Sequence, residues 1–215
     1  MKRVPAGFVV LALVGACSKS DSPTSAPTAT GAGGEPTTSE NGTAAQLPAP
    51  GIFQVDPTHS TVLFKVKHSG AGYVYGWFKD YSGAFTIDAD SKKSHIELAV
   101  KAASVDTRDE ERNGNIAGPD FLNAKQFPEI TFKSTSVAVA GSGWRVTGDL
   151  TIRGVTKSVT FTAAAVGDAK DPQGKRLVGV EARVPITRGD FGVSFMPEIV
   201  GPDVELIIAL EGVAG

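Results

Sequence analysis

Histidines, carboxylates and one cysteine are the side chains here whose types and spacing could support chemistry. His59, His68 and His95 could hold a zinc ion if the fold brought their imidazoles to one point. Their settings differ, however. His68 is in phase with Val62, Phe64 and Val66, so it points inward near a strand end and could touch the head group of a bound molecule. His95 is out of phase with Ile96 and Leu98 and sits on a polar face. His59 belongs to the run Asp56-Pro57-Thr58-His59-Ser60, where a local hydrogen bond is its expected role. Asp88 with Asp90, and Glu110 with Glu111, could act as acid and base. They fall in a turn and at a helix start, where solvated charge accounts for them. No Gly-x-Ser-x-Gly, His-Glu-x-x-His or Cys-x-x-Cys occurs, so nucleophilic catalysis has no visible home. The glycines at 31, 33 and 34 precede no strand and helix and form no phosphate loop. Arg188-Gly189-Asp190 reads as a bend between late strands. These residues predict no enzyme, no metal site and no cofactor.

The elements that must position these residues carry a hydrophobic period of two, which predicts strands with one dry face. Val62, Phe64 and Val66 alternate with Thr61, Lys65 and Lys67, and Ile96, Leu98 and Val100 alternate with His95, Glu97 and Lys101. The pattern recurs in Trp144, Val146, Leu150 and Ile152, in Val178 through Ile186, and in Val204 through Leu210. Turn residues at 69–72, 88–91, 141–143 and 171–174 supply the reversals. About eight strands result, which suits an up-and-down barrel or a two-sheet sandwich; alternation alone does not separate them. One helical interruption, residues 106–124, lies among the strands. Asp106 or Thr107 could cap it, Asp109 to Glu111 suit its positive end, and Gly114 with Gly118-Pro119 should split it into two pieces. Phe121 and Leu122 then become apolar plugs at a barrel mouth. With 21 basic against 23 acidic residues and no basic block interleaved with aromatics, nucleic acid is not an expected partner.

Residues 1–16 have the plan of a signal peptide: Lys2 and Arg3, an apolar run, then small residues. The run is too short to span a bilayer, which takes about 20 residues. Cys17 is the single cysteine, and Val14-Gly15-Ala16-Cys17 resembles a lipobox, which predicts acylation at Cys17 and, with Ser18 following, an outer-membrane lipoprotein facing the periplasm; the alternative is a soluble secreted protein cut near Ala12 or Ala16 with a leftover thiol. Residues 17–50 are rich in Ser, Thr, Ala, Pro and Gly with no apolar period, the composition of a disordered linker reaching roughly 30 Å. Asn41-Gly42-Thr43 is read as linker composition. Residues 51–215 form the folded domain.

Four separated segments in this domain resemble the YceI family of bacterial lipid-binding proteins: FQVDPTHSTVLFKVKH (53–68), DFLNAKQFPEITF (120–132), GDLTIRGVTKSVTFT (148–162) and ITRGDFG (186–192). The resemblance implies an all-β fold, an antiparallel up-and-down barrel similar to lipocalins with one short helical segment. It also implies a long polyisoprenoid held inside. The chain departs from the family at Arg112, Asn113, Gly114, Asn115 and Ile116, where many members carry Arg-Asp-x-His-Leu, so no role of that Asp or His carries over.

The resemblance, laid over the strand phases, gives a cavity lining. From the first half of the barrel it takes Val62, Phe64, Val66, His68, Phe85, Ile96 and Leu98; from the interruption Phe121 and Leu122; from the later strands Ile130, Phe132, Val146, Leu150, Val180 and Ile208; and from the late bend Phe191 and Phe195. The implied partners are a polyisoprenoid or quinone-like lipid and, through the acyl anchor, a membrane; the oligomeric state is not indicated. Three classes of function follow: sequestration or transport of such a lipid in the bacterial envelope, an envelope stress or interaction protein whose barrel packs solid, and a hydrolase on the same scaffold, for which no nucleophile is visible.

Overall fold

Residues 47–215 are described by the computed structural model. The expected signal peptide and the linker, with Cys17 and Asn41, lie outside them except for residues 47–50. The chain runs through β1 (Gly51–Val55), β2 (Thr61–His68), β3 (Gly72–Phe78), β4 (Tyr81–Ile87), β5 (His95–Lys101), β6 (Val105–Asp106), α1 (Glu110–Ala117), β7 (Glu129–Ala140), β8 (Gly143–Ile152), β9 (Val155–Lys170), β10 (Arg176–Thr187) and β11 (Val200–Ala214).

Every ladder is antiparallel, and β11 pairs β10 on one side and both β1 and β2 on the other. This closes the sheet. β1 and β2 are two halves of one kinked strand, as are β3 and β4, because β2 pairs β3 while β1 pairs β4. β5 and β6 likewise continue one another past a short 3-10 turn, pairing β4 and β3 respectively. Counted in this way the sheet is a closed eight-stranded up-and-down barrel, and the sandwich alternative falls. Among the described residues, closure leaves no free edge except where β6 parts from β7, and α1 with the loop to residue 128 connects those two strands.

The kinks have local causes. Asp56 accepts the Thr58 N–H at 2.8 Å and faces His59 Nδ1 at 2.8 Å, a self-closed turn that ends β1. Ser60 Oγ then accepts the Glu211 N–H at 2.9 Å, and the buried Tyr81 hydroxyl donates to the Ser60 carbonyl. One kink is thereby tied to the next. Burial is the larger cause that raises the Tyr81 pKa, with the Asp56 charge adding to it.

The expected turns at residues 69–72, 141–143 and 171–174 have backbone at positive φ, at Ser69, Gly70, Gly141 and Gly174. The helical interruption is shorter than its sequence suggests. Asp109, rather than Asp106 or Thr107, caps α1 by accepting the Arg112 N–H at 2.8 Å, and Glu110 and Glu111 occupy the first turn. Gly114 is tolerated inside the helix, and the Gly118-Pro119 pair ends it as expected, so there is one piece and not two. Thr107 is instead a buried bracket whose N–H and hydroxyl both donate to Asn113 Oδ1 at 2.7 Å.

The barrel packs differently at its two ends. Around β1 and the end of β11 it is solid: Phe53 and Val178 are fully buried, Phe53 stacks on Phe85 with centroids 5.2 Å apart, and Arg176 lies over the Phe53 ring at 5.1 Å. Arg176 also bonds Asp168 and the carbonyls of Ala49 and Pro50, pinning the entering chain across this end. Space for the rings comes from glycine. A Cβ on Gly212 would lie 2.4 Å from Phe85, and one on Gly76 would lie 2.4 Å from Phe64.

Candidate functional site: an apolar cavity open at one end

Above this solid end the inward faces of β2, β3, β5 and β7 to β11 surround a cavity of about 430 Å³. That size falls within the usual range of ligand sites, roughly 300 to 1,000 Å³. Interior side chains on its wall keep accessible surface. Phe64, Ile96, Ile130, Phe132, Phe161, Val180, Leu206 and Ile208 all point inward yet are only half-buried, because their exposed faces look into the cavity rather than into a neighbour.

The wall also includes Val62, Val66, Leu98, Val146 and Leu150, and Phe191, Leu122 and Phe121 close over it from the late 3-10 turn (Arg188–Phe191) and the loop after α1. His68 stands at the open end and is exposed. Two expected wall residues lie elsewhere. Phe85 is inward, as its phase requires, but sits below the cavity in the solid end against Phe53. Phe195 is 46% exposed on the outer side of the mouth, where it meets Phe121 edge-on at 5.6 Å.

Polar groups gather at the mouth. Arg112 donates from Nε to the Thr107 hydroxyl and from Nη2 to the Thr107 carbonyl, both at 2.8 Å, and Asn115 lies one turn along on the same helix. Arg188 is the residue that reading the sequence for a bend overlooks. Its backbone does bend, but its side chain is 7% exposed and continues the inward phase of Val184 and Ile186. That phase was the available signal. The guanidinium donates to four carbonyls: Gly201 from Nε at 2.9 Å, Val193 and Phe195 from Nη1 at 2.9 Å each, and Val200 from Nη2 at 2.7 Å. Burial pulls its pKa below the ordinary arginine value. Phe161, Ile186, Leu206 and Ile116 line the cavity as well, beyond the residues expected there, though the three strand residues share the inward phases.

The three histidines do not converge. Among the described residues, the one set with metal-type side chains in reach is Asp56, His59 and Glu211, whose ligand atoms lie within 4.8 Å of one another. His59 Nδ1 is hydrogen-bonded to Asp56 at 2.8 Å and lies 3.8 Å from the Glu211 carboxylate, an ion pair that draws the set together. The Asp56 bond raises the His59 pKa, and His59 in turn is the first cause that lowers the Asp56 pKa. The carboxylate pairs stay at the surface, Asp90 accepting the Lys92 N–H in its turn.

A closed antiparallel barrel with a one-mouthed apolar cavity is a small-ligand-binding architecture of the lipocalin-like kind. Residues 53–212 match the YceI-like domain, and the chain belongs to this family. It is 40% identical over 156 residues to a UPF0312 protein of Serratia proteamaculans, covering 72% of this chain and 81% of the relative. The crystal structure of Burkholderia cenocepacia BcnA superposes with a TM-score of 0.67 at 28% identity, over 73% of this chain and 98% of that one. A polyisoprenoid-binding domain from Saccharophagus degradans, described as implicated in plant cell wall breakdown, shares the fold with a TM-score of 0.58 at 15% identity, over 78% of this chain and all of that one.

Proposed function

We propose that the barrel binds a polyisoprenoid or similar long-chain amphiphile, quinone-like lipids included, tail inward and head group at the mouth, and sequesters or carries it in the bacterial envelope without catalysing a reaction. The observation that carries this reading is the open cavity of about 430 Å³ walled by half-buried aliphatic and aromatic side chains. Burying about ten methylenes contributes roughly 8 kcal/mol, equivalent to micromolar affinity before ordering costs. No charged anchor is needed for that. The Saccharophagus domain, a polyisoprenoid binder by its description, supports the same ligand class on the same fold. A barrel packed solid throughout, the basis of the interaction-protein alternative, does not fit a cavity of this size.

In this proposal residues 1–16 direct export and Cys17 carries the acyl anchor, with the linker to residue 50 tethering the barrel near the periplasmic side of the outer membrane. A single acyl chain gives only reversible membrane binding, so durable residence requires more than one. Titration with prenols of increasing length tests the cavity: affinity should rise with each isoprene unit and then level off, and an affinity independent of length would overturn the reading. Fatty-acid labelling of wild type against Cys17→Ala tests the anchor, and equal label in both would end that part.

A further inference from the structure

Exposed large apolar side chains are ordinarily scattered singly over a surface. Here Phe195, Met196 and Ile199, 46%, 39% and 38% exposed, fall within one loop just before β11. Met196 and Ile199 also line the cavity, so this loop is its lip. The lip is held rigidly. Arg188 binds the carbonyls of Val193, Phe195 and Val200 around it, the N–H groups of Ile199 and Val200 both donate to the Met196 carbonyl, and the Ser69 N–H donates to the Ile199 carbonyl at 2.7 Å. Met196 sits at φ 50°, an uncommon conformation for a residue other than glycine. A buried cation and a residue of left-handed backbone thus hold three partly exposed apolar side chains at the mouth.

We infer that this lip docks onto a phospholipid bilayer, so that the ligand passes between membrane and cavity without crossing water. The inference rests on the lipid-binding reading above and adds the surface through which loading occurs. Two features select a bilayer as the occupant. Lys67 and His68 from β2 and Arg112 from α1 line the cavity with a single acid, Glu181 on β10; among the described residues neither Lys67 nor Arg112 is paired with a carboxylate, and Glu198 is the one acid on the lip. Apolar side chains ringed by cations suit anionic head groups over acyl chains. The ligand supplies the second reason: each methylene drawn through water lowers the population of the exposed state about fourfold, so a long tail transfers rapidly only where mouth and membrane touch.

The test uses the full chain with Cys17→Ser and one introduced thiol, Phe195→Cys on the lip or Val166→Cys on the outer wall of β9, each labelled with an environment-sensitive fluorophore. On vesicles of phosphatidylethanolamine and phosphatidylglycerol the lip label should brighten severalfold and be quenched by spin-labelled lipid, and the Val166→Cys label should not change. Labels that respond alike, or not at all, would overturn docking. A lip label that follows protein concentration rather than vesicles would assign the lip to a second copy of the chain and overturn it equally. In a companion assay Phe195→Ser, which removes no side chain from the cavity lining, should slow prenol transfer from those vesicles about tenfold and keep the affinity for prenol delivered from cyclodextrin. An unchanged transfer rate would refute the inference. If prenol is never bound but the lip still inserts, the proposed function fails and the docking surface stands.

Discussion

Ala163→Leu separates a cavity from a solid core by the sign of its effect. Ala163 lies on the inward face of β9 opposite Trp144 and Ala182, lines the cavity and is only half-buried. Leucine adds three carbons where there is space. At about 0.8 kcal/mol for each buried methylene, the ligand-free barrel should gain up to roughly 2 kcal/mol. The same three carbons exclude about three methylenes of a bound tail, so affinity should fall by a similar amount, roughly fiftyfold in Kd. Urea unfolding of delipidated protein and titration with a fluorescent prenol measure the two quantities. A solid interior would respond oppositely, losing about 1 to 3 kcal/mol to overpacking. Loss of ligand-free stability together with unaltered lipid affinity would refute the account of the cavity.

Other perturbations test the parts around it. Arg188→Met strips four carbonyls of their donor and should cost about 3 kcal/mol in urea unfolding, a loss that Arg188→Lys, lacking the planar fork, should not restore. Gly212→Ala drives a methyl to 2.4 Å from Phe85 and 2.7 Å from the Phe53 Cβ, so it should destabilise the solid end by about 1 to 3 kcal/mol yet leave prenol affinity per folded molecule unaltered. His59 should titrate above the usual histidine value of about 6.5 by NMR and return toward it in Asp56→Asn. Its raised pKa stabilises the fold below that usual value and loses this contribution as pH rises through the folded pKa. Asp56, with its pKa lowered, contributes above the ordinary carboxylate range and loses that contribution as pH falls through its own folded pKa. The turn is therefore most stabilising between the two ranges, and His59→Ala should remove the alkaline-side dependence.

Period-two alternation declared which face of each strand turns inward, so the wall residues from Val62 to Ile208 were legible. It is silent about height along the barrel axis. Phe85 was assigned to the wall for this reason, since only the pairing of β4 with β1 places it against Phe53. Phe195 failed differently: it lies in a loop, where phase has no meaning, and the Arg188 fork sets its direction. The first kink starts in the local Asp56 turn, but contacts distant in sequence, Ser60 with Glu211 and Tyr81 with Ser60, tie it to the next, and no local pattern reveals those. The cap of α1 shifted to Asp109 because Arg108 takes a left-handed conformation at φ 64°, with Asp106 Oδ1 accepting its N–H at 2.8 Å.

Native mass spectrometry of the protein extracted from the membranes of the cell that makes it shows whether the cavity carries a lipid. A co-purifying mass whose fragments step by isoprene units is expected, with a population that falls in Ala163→Leu. Protein that emerges without bound lipid, and that takes up no long-chain prenol when one is supplied, would contradict the proposed function.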